Sequence, residues 1–560
     1  MLYGLGEPGA TINIITKQPL PDWYAAAALT AGSFGFVSPS IDVSGPLTPD
    51  KALRFRLSAA YQWQDSFVDW VQSERYDVAP VLALVLGPDT RLTLEGEYQA
   101  LQEIYYTGLP AEGTIRKNPN GKLPISRYLG DPHVEGDHFP ERTLGKIGYR
   151  VDHRFNEHVA LRHGFRATFL TTDERDVIPF GFQADLRTFD RDLFIGRVNS
   201  EDYYILTDVT FDVRTGPLRH TLLLGADQRI LSTRQVSGGA LLPPIDAFNP
   251  AYHAAPIGPE TIDRGSVQSG TFYGFYIQDL MTIIDPVKLL VGGRYDLASL
   301  DTESRTFADG TRTRSSFDEG VFTPRVGLVV QPIPAVSLYA SYTTSFNPLT
   351  GTTFDGAGFA PERGVQYEAG VKLELLGGKL SSTIAVYDLT KENVLTPDPA
   401  NPGFSIQEGE QRSRGVEVDV AGEVLPGLRL IATYAYTDAE ITKSNAGNEG
   451  NRPANVPAHS GSVWGVYEFR EGFLKGLGLG AGVVAVGRRP ADNDNTATLP
   501  DYVRTDAAIY YKLTRHVDLA VNFKNLFDVR YFETSTFGDT FGGISPGPPF
   551  SVFGSITARY

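Results

Sequence analysis

Apolar and polar residues take turns along most of this chain. Leu92, Leu94 and Tyr98 share one face of a stretch whose other face carries Thr93, Glu95, Glu97 and Gln99. Leu53, Phe55, Leu57, Ala59, Tyr61 and Trp63 oppose Arg54, Arg56, Ser58, Gln62 and Gln64. Val416, Val418 and Val420 oppose Glu417 and Asp419; Val517, Leu519, Val521 and Phe523 oppose Asp518, Ala520, Asn522 and Lys524. A period of two marks strands with one apolar and one polar side. Ten tight turns interrupt the pattern, near Gly45–Lys51, Gly87–Thr90, Phe155–His158, Thr215–Arg219, Asp285–Lys288, Gln331–Ala335, Leu376–Lys379, Leu425–Gly427, Glu471–Gly476 and Leu513–His516. Most hold Gly, Pro, Asn or Asp, which set turn geometry at little cost. Between them lie eleven connections, mostly longer and rich in Asp, Asn, Gly and Pro. Ten turns and eleven loops predict 22 antiparallel strands.

Short turns on one side and long loops on the other are the pattern of a transmembrane β-barrel, and 22 strands is the size whose lumen holds a plug. A soluble sandwich also alternates. Here, however, the apolar faces often end in Tyr or Trp, as interfacial girdles do, and no linker or composition shift divides the 560 residues into several sandwich domains. The mean hydropathy of -0.17 does not oppose a membrane barrel, which carries its apolar residues at alternate positions. No apolar run approaches the ~18–20 residues of a spanning helix, so a closed barrel is the way such a backbone satisfies itself in lipid. With 0 Cys there is neither a disulfide nor a thiolate metal site. The net charge of -16 argues against nucleic acid and fits acidic loops and an acidic lumen. Tyr and Phe, at 27 and 32 against 4 Trp, must build the girdles.

The opening residues, Leu2-Tyr3-Gly4-Leu5-Gly6-Glu7-Pro8-Gly9-Ala10-Thr11-Ile12-Asn13-Ile14-Ile15-Thr16-Lys17-Gln18-Pro19, resemble the last segment of the plug of TonB-dependent siderophore receptors, with Gly9-Ala10 where that family usually has Gly-Gly. The resemblance continues through Phe275-Tyr276-Ile277-Gln278-Asp279, Gly293-Arg294-Tyr295-Asp296, Thr323-Pro324-Arg325, Gln366-Tyr367-Glu368-Ala369-Gly370, Arg412-Ser413-Arg414-Gly415-Val416-Glu417 and Asn525-Leu526-Phe527-Asp528 with Tyr531. Tyr105-Tyr106-Thr107-Gly108-Leu109-Pro110 is similar to the third extracellular loop of ferrichrome-type, hydroxamate-siderophore receptors. The resemblance implies an all-β protein, with residues 1–20 the end of a plug domain and 21–560 the barrel, monomeric in the outer membrane of a Gram-negative bacterium. It implies uptake of a ferric siderophore, energised by the TonB–ExbB–ExbD complex through an N-terminal box, with lipid as the other partner and no resident cofactor. The same architecture serves heme, cobalamin or glycan import, and a passive pore is a further alternative. Met1 runs straight into Leu2-Tyr3-Gly4 without an export signal, so the chain is expected to be part of a longer protein or to begin at a misplaced start, and not to drive energised uptake alone. The terminal Tyr560 stands where the family's assembly signal usually has Phe, and also suits the girdle.

A ferric siderophore brings its iron already wrapped in hard oxygen donors, so its receptor needs aromatic faces and hydrogen-bond donors rather than metal ligands. By resemblance Tyr106 and Phe359 are the ligand-facing aromatics, with Tyr105 beside them; either could instead pack between loops. The second aromatic of the family's third loop is Gly108 here, and a fifth loop placed at Arg234–Pro244 has no aromatic. Asp131 to His138 mixes imidazoles and carboxylates without tight ligand spacing, and reads as a solvated loop. Asp492-Asn493-Asp494-Asn495 lacks the downstream pattern of a calcium loop. His153, His158 and His163 suit structural or solvent-facing positions. No nucleophile motif or phosphate-cradling glycine loop is present, so no catalytic residue is expected; the glycines from Gly476 to Gly482 read as strand.

Overall fold

The computed structural model describes residues 5–7, 9, 12–135, 141–252, 257–401, 404–536 and 543–560. Its main sheet has 23 members, of which the two-residue Ile245–Asp246 is a spur on the strand Thr188–Thr215. The other 22 form the barrel, each antiparallel to the next. The first strand, Tyr24–Gly32, pairs with the last, Ser551–Arg559, from Ala26↔Arg559 to Gly32↔Phe553, so no edge remains open.

All ten tight turns fall where the alternation breaks. At the turn after Ser405–Leu425, Gly427 takes φ 85 and a Cβ there would stand 2.7 Å from the Glu468 carbonyl oxygen, so a glycine is required. Short turns mark the periplasmic end of an outer-membrane barrel. On the other side the strands differ in height. Tyr24–Gly32 has 9 residues and Val517–Lys524 has 8, near the ~9–11 that cross a membrane. Val159–Phe182 has 24, and Thr188–Thr215 and Ile257–Ile284 have 28 each, so one sector of the wall stands well above the bilayer.

The alternation sorts the two faces as the pattern requires. Leu94 and Tyr98 are 47% and 50% exposed on the outside, while Glu97, inside, meets Lys146 at 3.0 Å. Aromatic side chains line up across strands: Phe275 lies opposite Tyr295, and Tyr295 opposite Phe322. These outward side chains cover glycines, since a Cβ on Gly293 or Gly320 would strike the rings of Phe322 and Tyr295 at 2.6 and 2.8 Å. Such a row is an interfacial girdle. Tyr560 exchanges backbone hydrogen bonds with Ala25 at the opposite rim. Among the described residues no helix is long and apolar enough to cross a membrane.

Inside, the N-terminal segment runs along the lumen. Leu5 bridges to Phe346, and the Gly6 N–H donates to the Phe346 carbonyl at 2.9 Å. Glu7 receives Lys391 Nζ at 3.0 Å, and the same ammonium reaches Glu362 at 2.9 Å. At the periplasmic end Lys17 meets Asp42 at 2.9 Å and the Leu20 N–H donates to Ser44 Oγ at 2.8 Å. Between these anchors Ile12, Ile14 and Ile15 are exposed. Residues 1–4, 8, 10 and 11 of the resemblance lie outside the described residues.

The motif Asn525-Leu526-Phe527-Asp528 builds a knot above the last hairpin. Asn525, at φ 51 and buried, donates to the carbonyls of Val529 and Pro548 at 2.9 and 3.0 Å and accepts the Val529 N–H at 2.8 Å. The three histidines take local roles: His153 bonds Thr90 Oγ1 at 2.8 Å, His163 bonds Thr207 and Tyr149, and His158 sits exposed beside Glu157.

Candidate functional site: the extracellular mouth

The connection between Thr90–Glu103 and Arg142–Asn156 folds inward as a cap. It pairs with the last loop through reciprocal Leu109 and Ile544 hydrogen bonds of 2.8 and 2.9 Å. Arg116 donates to the Thr496 carbonyl at 2.7 Å, Arg530 to Leu123 at 3.0 Å, and Asn118 to Leu186 at 2.8 Å. Two small apolar cores hold it. Leu109, Leu123 and Leu129 pack with Phe189, Ile245 and Ala247; Ala111 packs with Ala491, Leu499, Phe532 and Ile544. The cap therefore brings a buried interior of its own into the mouth.

The loop Asp131 to His138 departs from a solvated reading. Asp131 is fully buried and pairs at 3.4 Å with Arg191, which also donates to the carbonyls of Gly130 and Pro243 at 2.7 and 3.0 Å. A carboxylate can be buried there because a guanidinium is buried with it. His133 is exposed, with its ring 5.8 Å from Trp70. Gly136, Asp137 and His138 lie outside the described residues. Among the described residues no group of three or more His, Asp or Glu side chains could hold a metal. In Asp492-Asn493-Asp494-Asn495, the Asp492 carboxylate accepts the N–H groups of Thr496 and Ala497 at 3.0 and 3.1 Å, which is turn capping.

The three predicted aromatics sit in two places. Tyr105 and Tyr106 open the cap. The Tyr106 hydroxyl is closed off from solvent and has no hydrogen-bond partner, and burial pushes its pKa above the usual tyrosine range. Tyr105 is half-buried, and burial together with the nearby Asp176 and Glu174 raises its pKa. Phe359 lies in the loop after Val336–Asn347, buried against Gly351. Ala360 beside it exchanges hydrogen bonds of 2.6 and 2.5 Å with Gln407. Among the described residues no ring contact joins Phe359 to Tyr105 or Tyr106.

Sequence reasoning missed other rings. Phe354 and Phe404, 60% and 40% exposed, meet edge to face at 5.2 Å between neighbouring loops. Their signal was an aromatic inside a Gly- and Asp-rich connection. The fifth loop is also relocated. Arg234–Leu241 continues the strand Leu218–Leu241, and the true connection carries Phe248 and Tyr252. Tyr252 donates to the Tyr128 carbonyl at 3.0 Å and stands 5.7 Å from Trp70. The aromatics expected of that loop are present and face the cap.

The neck of the cap gathers carboxylates. Glu141 accepts the Glu103 N–H at 3.1 Å, and Glu174 and Asp176 of the adjoining tall strand stand near. Burial, then the neighbouring carboxylates, push Asp176 up to about 7 against the pull of Arg142. Glu141 is likewise pushed up to about 7, burial dominating over the Glu103 N–H that opposes it.

Residues 75–526 match the family described as TonB dependent receptor-like, beta-barrel. The chain belongs to the TonB-dependent receptors. It is 34% identical to the metal-pseudopaline receptor CntO of Pseudomonas aeruginosa, across 100% of this chain and 78% of that protein. It is 31% identical to the ferrichrome outer membrane transporter/phage receptor of Escherichia coli K12, across 97% of this chain and 76% of that one. The siderophore receptor PiuA from Acinetobacter baumannii superposes with a TM-score of 0.89 over 100% of this chain and 84% of its own, at 20% identity, which speaks to fold alone. The receptor is thus an outer-membrane β-barrel of the class that takes up metals or siderophores.

Proposed function

We propose that this receptor captures a metal chelate of the ferric-siderophore kind at the extracellular mouth, and that the intact protein draws on TonB to move it inward. The observation that carries the reading is the mouth itself. A cap with its own apolar cores leaves a shielded, unpartnered Tyr106 hydroxyl, and exposed Phe354 and Phe404 pair edge to face from two other loops. Aromatic faces with a few placed polar groups suit a chelate whose metal is already coordinated. Tyr105, Tyr106 and Phe359 remain candidate contacts, now joined by Phe354 and Phe404. The N-terminal segment, anchored at both ends of the lumen, reads as the end of a plug. Relatives named as receptors and transporters support a transport role rather than an enzymatic one.

Ferrichrome and ferrioxamine B name the cargo of some relatives, while the metal-pseudopaline relative favours a second reading, a chelator not tied to iron. Quenching of intrinsic fluorescence in the purified receptor separates them when titrated with ferrichrome, ferrioxamine B and a zinc or nickel aminopolycarboxylate chelate. Saturable quenching by one class selects it. Absence of quenching by all three removes the metal-chelate reading.

A further inference from the structure

A tight turn from Thr215 to Leu218 joins the strands Thr188–Thr215 and Leu218–Leu241 at the periplasmic end. Alternation fixes which way its neighbours face. Ile277 and Leu224 lie opposite one another and are exposed on the outer wall, so Asp279 and His220, two and four residues along, face outward as well. Val213, also exposed, lies opposite His220, which puts Thr215 on the same side. Side chains from three adjacent strands therefore meet on the outer face, away from the lumen and whatever fills it.

They are joined in a line. His220 Nδ1 lies 2.7 Å from Asp279 Oδ2, and His220 Nε2 lies 2.7 Å from Thr215 Oγ1. An ionised carboxylate only accepts, so Nδ1 carries the proton, and Nε2 of the neutral ring accepts from the Thr215 hydroxyl. The imidazole is 13% exposed and the Asp279 side chain 24%, while Thr215 is open at the turn. Asp279 Oδ1 is closed off from solvent and unbonded, which leaves the imidazole as the carboxylate's partner. The charges of the neighbouring turns, Arg219 and Asp285, pair with each other.

A hydroxyl on one ring nitrogen and a carboxylate on the other is the connectivity that activates a hydroxyl as a nucleophile. Gly216 follows Thr215 at φ 60, exposed, with no atom within 4 Å of its Cβ position, so the approach beside the hydroxyl is open. The Gly216 N–H has no hydrogen-bond partner among the described residues, which leaves a donor beside Thr215 for a developing oxyanion. His220 stands two residues from the end of its strand, about 7 Å of strand rise. That height is the membrane–water boundary, where the acyl esters of phospholipids lie.

We propose that Thr215, His220 and Asp279 form an esterase site that hydrolyses an acyl ester of a glycerophospholipid in the periplasmic leaflet. Thr215 Oγ1 attacks the ester carbonyl carbon while its proton passes to His220 Nε2. The bond from that carbon to the glycerol oxygen breaks, and the His220 proton goes to the leaving alkoxide, releasing a lysophospholipid. Water then gives a proton to His220 and attacks the acyl-Thr215 ester; the fatty acid leaves and the proton returns to Thr215. Asp279 is a positioning residue, acting through the ring tautomer. The activity is additional to transport and does not depend on that reading.

The test mixes the purified receptor with phosphatidylethanolamine in nonionic detergent and follows the products by mass spectrometry. Fatty acid and lysophospholipid should appear in equal amounts, be lost in Thr215→Ala and return in Thr215→Ser. Thr215 is exposed at a turn, and heat-modifiable migration on a gel verifies that its variants keep the barrel. Asp279→Asn should lower kcat about a hundredfold with KM unchanged, the order of effect expected when a general base is disabled. Should Asp279→Asn fail to fold, the two Thr215 variants decide alone. No release by the parent receptor, or release that Thr215→Ala leaves unchanged, overturns the proposal. Hydrolysis of soluble p-nitrophenyl butyrate without release from phosphatidylethanolamine overturns the lipid assignment.

Discussion

Replacing Gly274 by alanine should damage the lumen wall far more than its one methyl group suggests. Arg294 reaches Asp227 with Nη1 at 2.5 Å and with Nη2 at 2.9 Å, and Asp296 with Nη2 at 2.6 Å and with Nε at 2.8 Å. Its guanidinium also lies 5.6 Å from the centre of the Tyr276 ring. A Cβ on Gly274 would stand 1.8 Å from Arg294 Nη2 and 2.3 Å from Cζ. The guanidinium cannot give way without leaving two carboxylates that are buried with it. Breaking a buried, hydrogen-bonded ion pair costs about 3–5 kcal/mol, and the lower end applies if one carboxylate is kept. Urea unfolding of the receptor in lipid vesicles, followed by tryptophan fluorescence, should therefore show Gly274→Ala destabilised by about 3 kcal/mol. Gly145→Ala is the control, because no atom lies within 4 Å of its Cβ position. It should stay within about 0.5 kcal/mol of the parent, as substitutions away from such features do. Equal stability of the two variants would refute the steric argument and the weight given to the Arg294 node.

Three further outcomes are expected. Leu94→Arg, on the outer face, should cost about 2–4 kcal/mol in vesicles, while Gln99→Arg, which faces Asp77 and Glu97 in the lumen, should be nearly neutral; equal costs would contradict the facing. Tyr106→Phe deletes a buried hydroxyl that has no partner, so the variant should be more stable by about 1 kcal/mol while chelate affinity falls roughly fivefold to tenfold, the worth of one hydrogen bond; unchanged affinity in the quenching assay would exclude Tyr106 from the contact. Glu141 and Asp176 hold their protons more tightly folded than unfolded, so their contribution is full below about pH 4 and is lost as pH rises through about 7. Amide-exchange protection at the cap's neck, corrected for intrinsic rates, should fall between pH 5 and 8, and Glu141→Gln with Asp176→Asn should flatten that fall.

The periplasmic half of the barrel was legible because its determinants are local. Gly427 and its counterparts fix turns by their own backbone, and a one-residue slip in any strand would turn its apolar face inward. The extracellular half depends on distant partners. Arg234–Leu241 looked like a loop, yet Gly238 and Gly239 continue the strand because neighbouring backbone carbonyls, of Thr261 and Leu193, pass 1.9 Å from where a Cβ would be. The burial of Asp131 follows from Arg191, far along the chain and invisible to local spacing. Tyr106 was readable as a residue type at a loop start, but its orphaned hydroxyl was not. Phe354 and Phe404 form a pair only because two separate loops meet.

The absence of cysteine makes the central claim directly measurable. Spin labels on single cysteines introduced at successive positions from Phe275 to Asp279, in the receptor reconstituted in bilayers, report collisions with lipid-soluble oxygen and with a water-soluble nickel chelate. Oxygen accessibility should peak at Phe275 and Ile277, and fall at Tyr276 and Gln278, a period of two. A flat profile, or peaks every third or fourth residue, would contradict a wall of strands with lipid on one side and a polar lumen on the other.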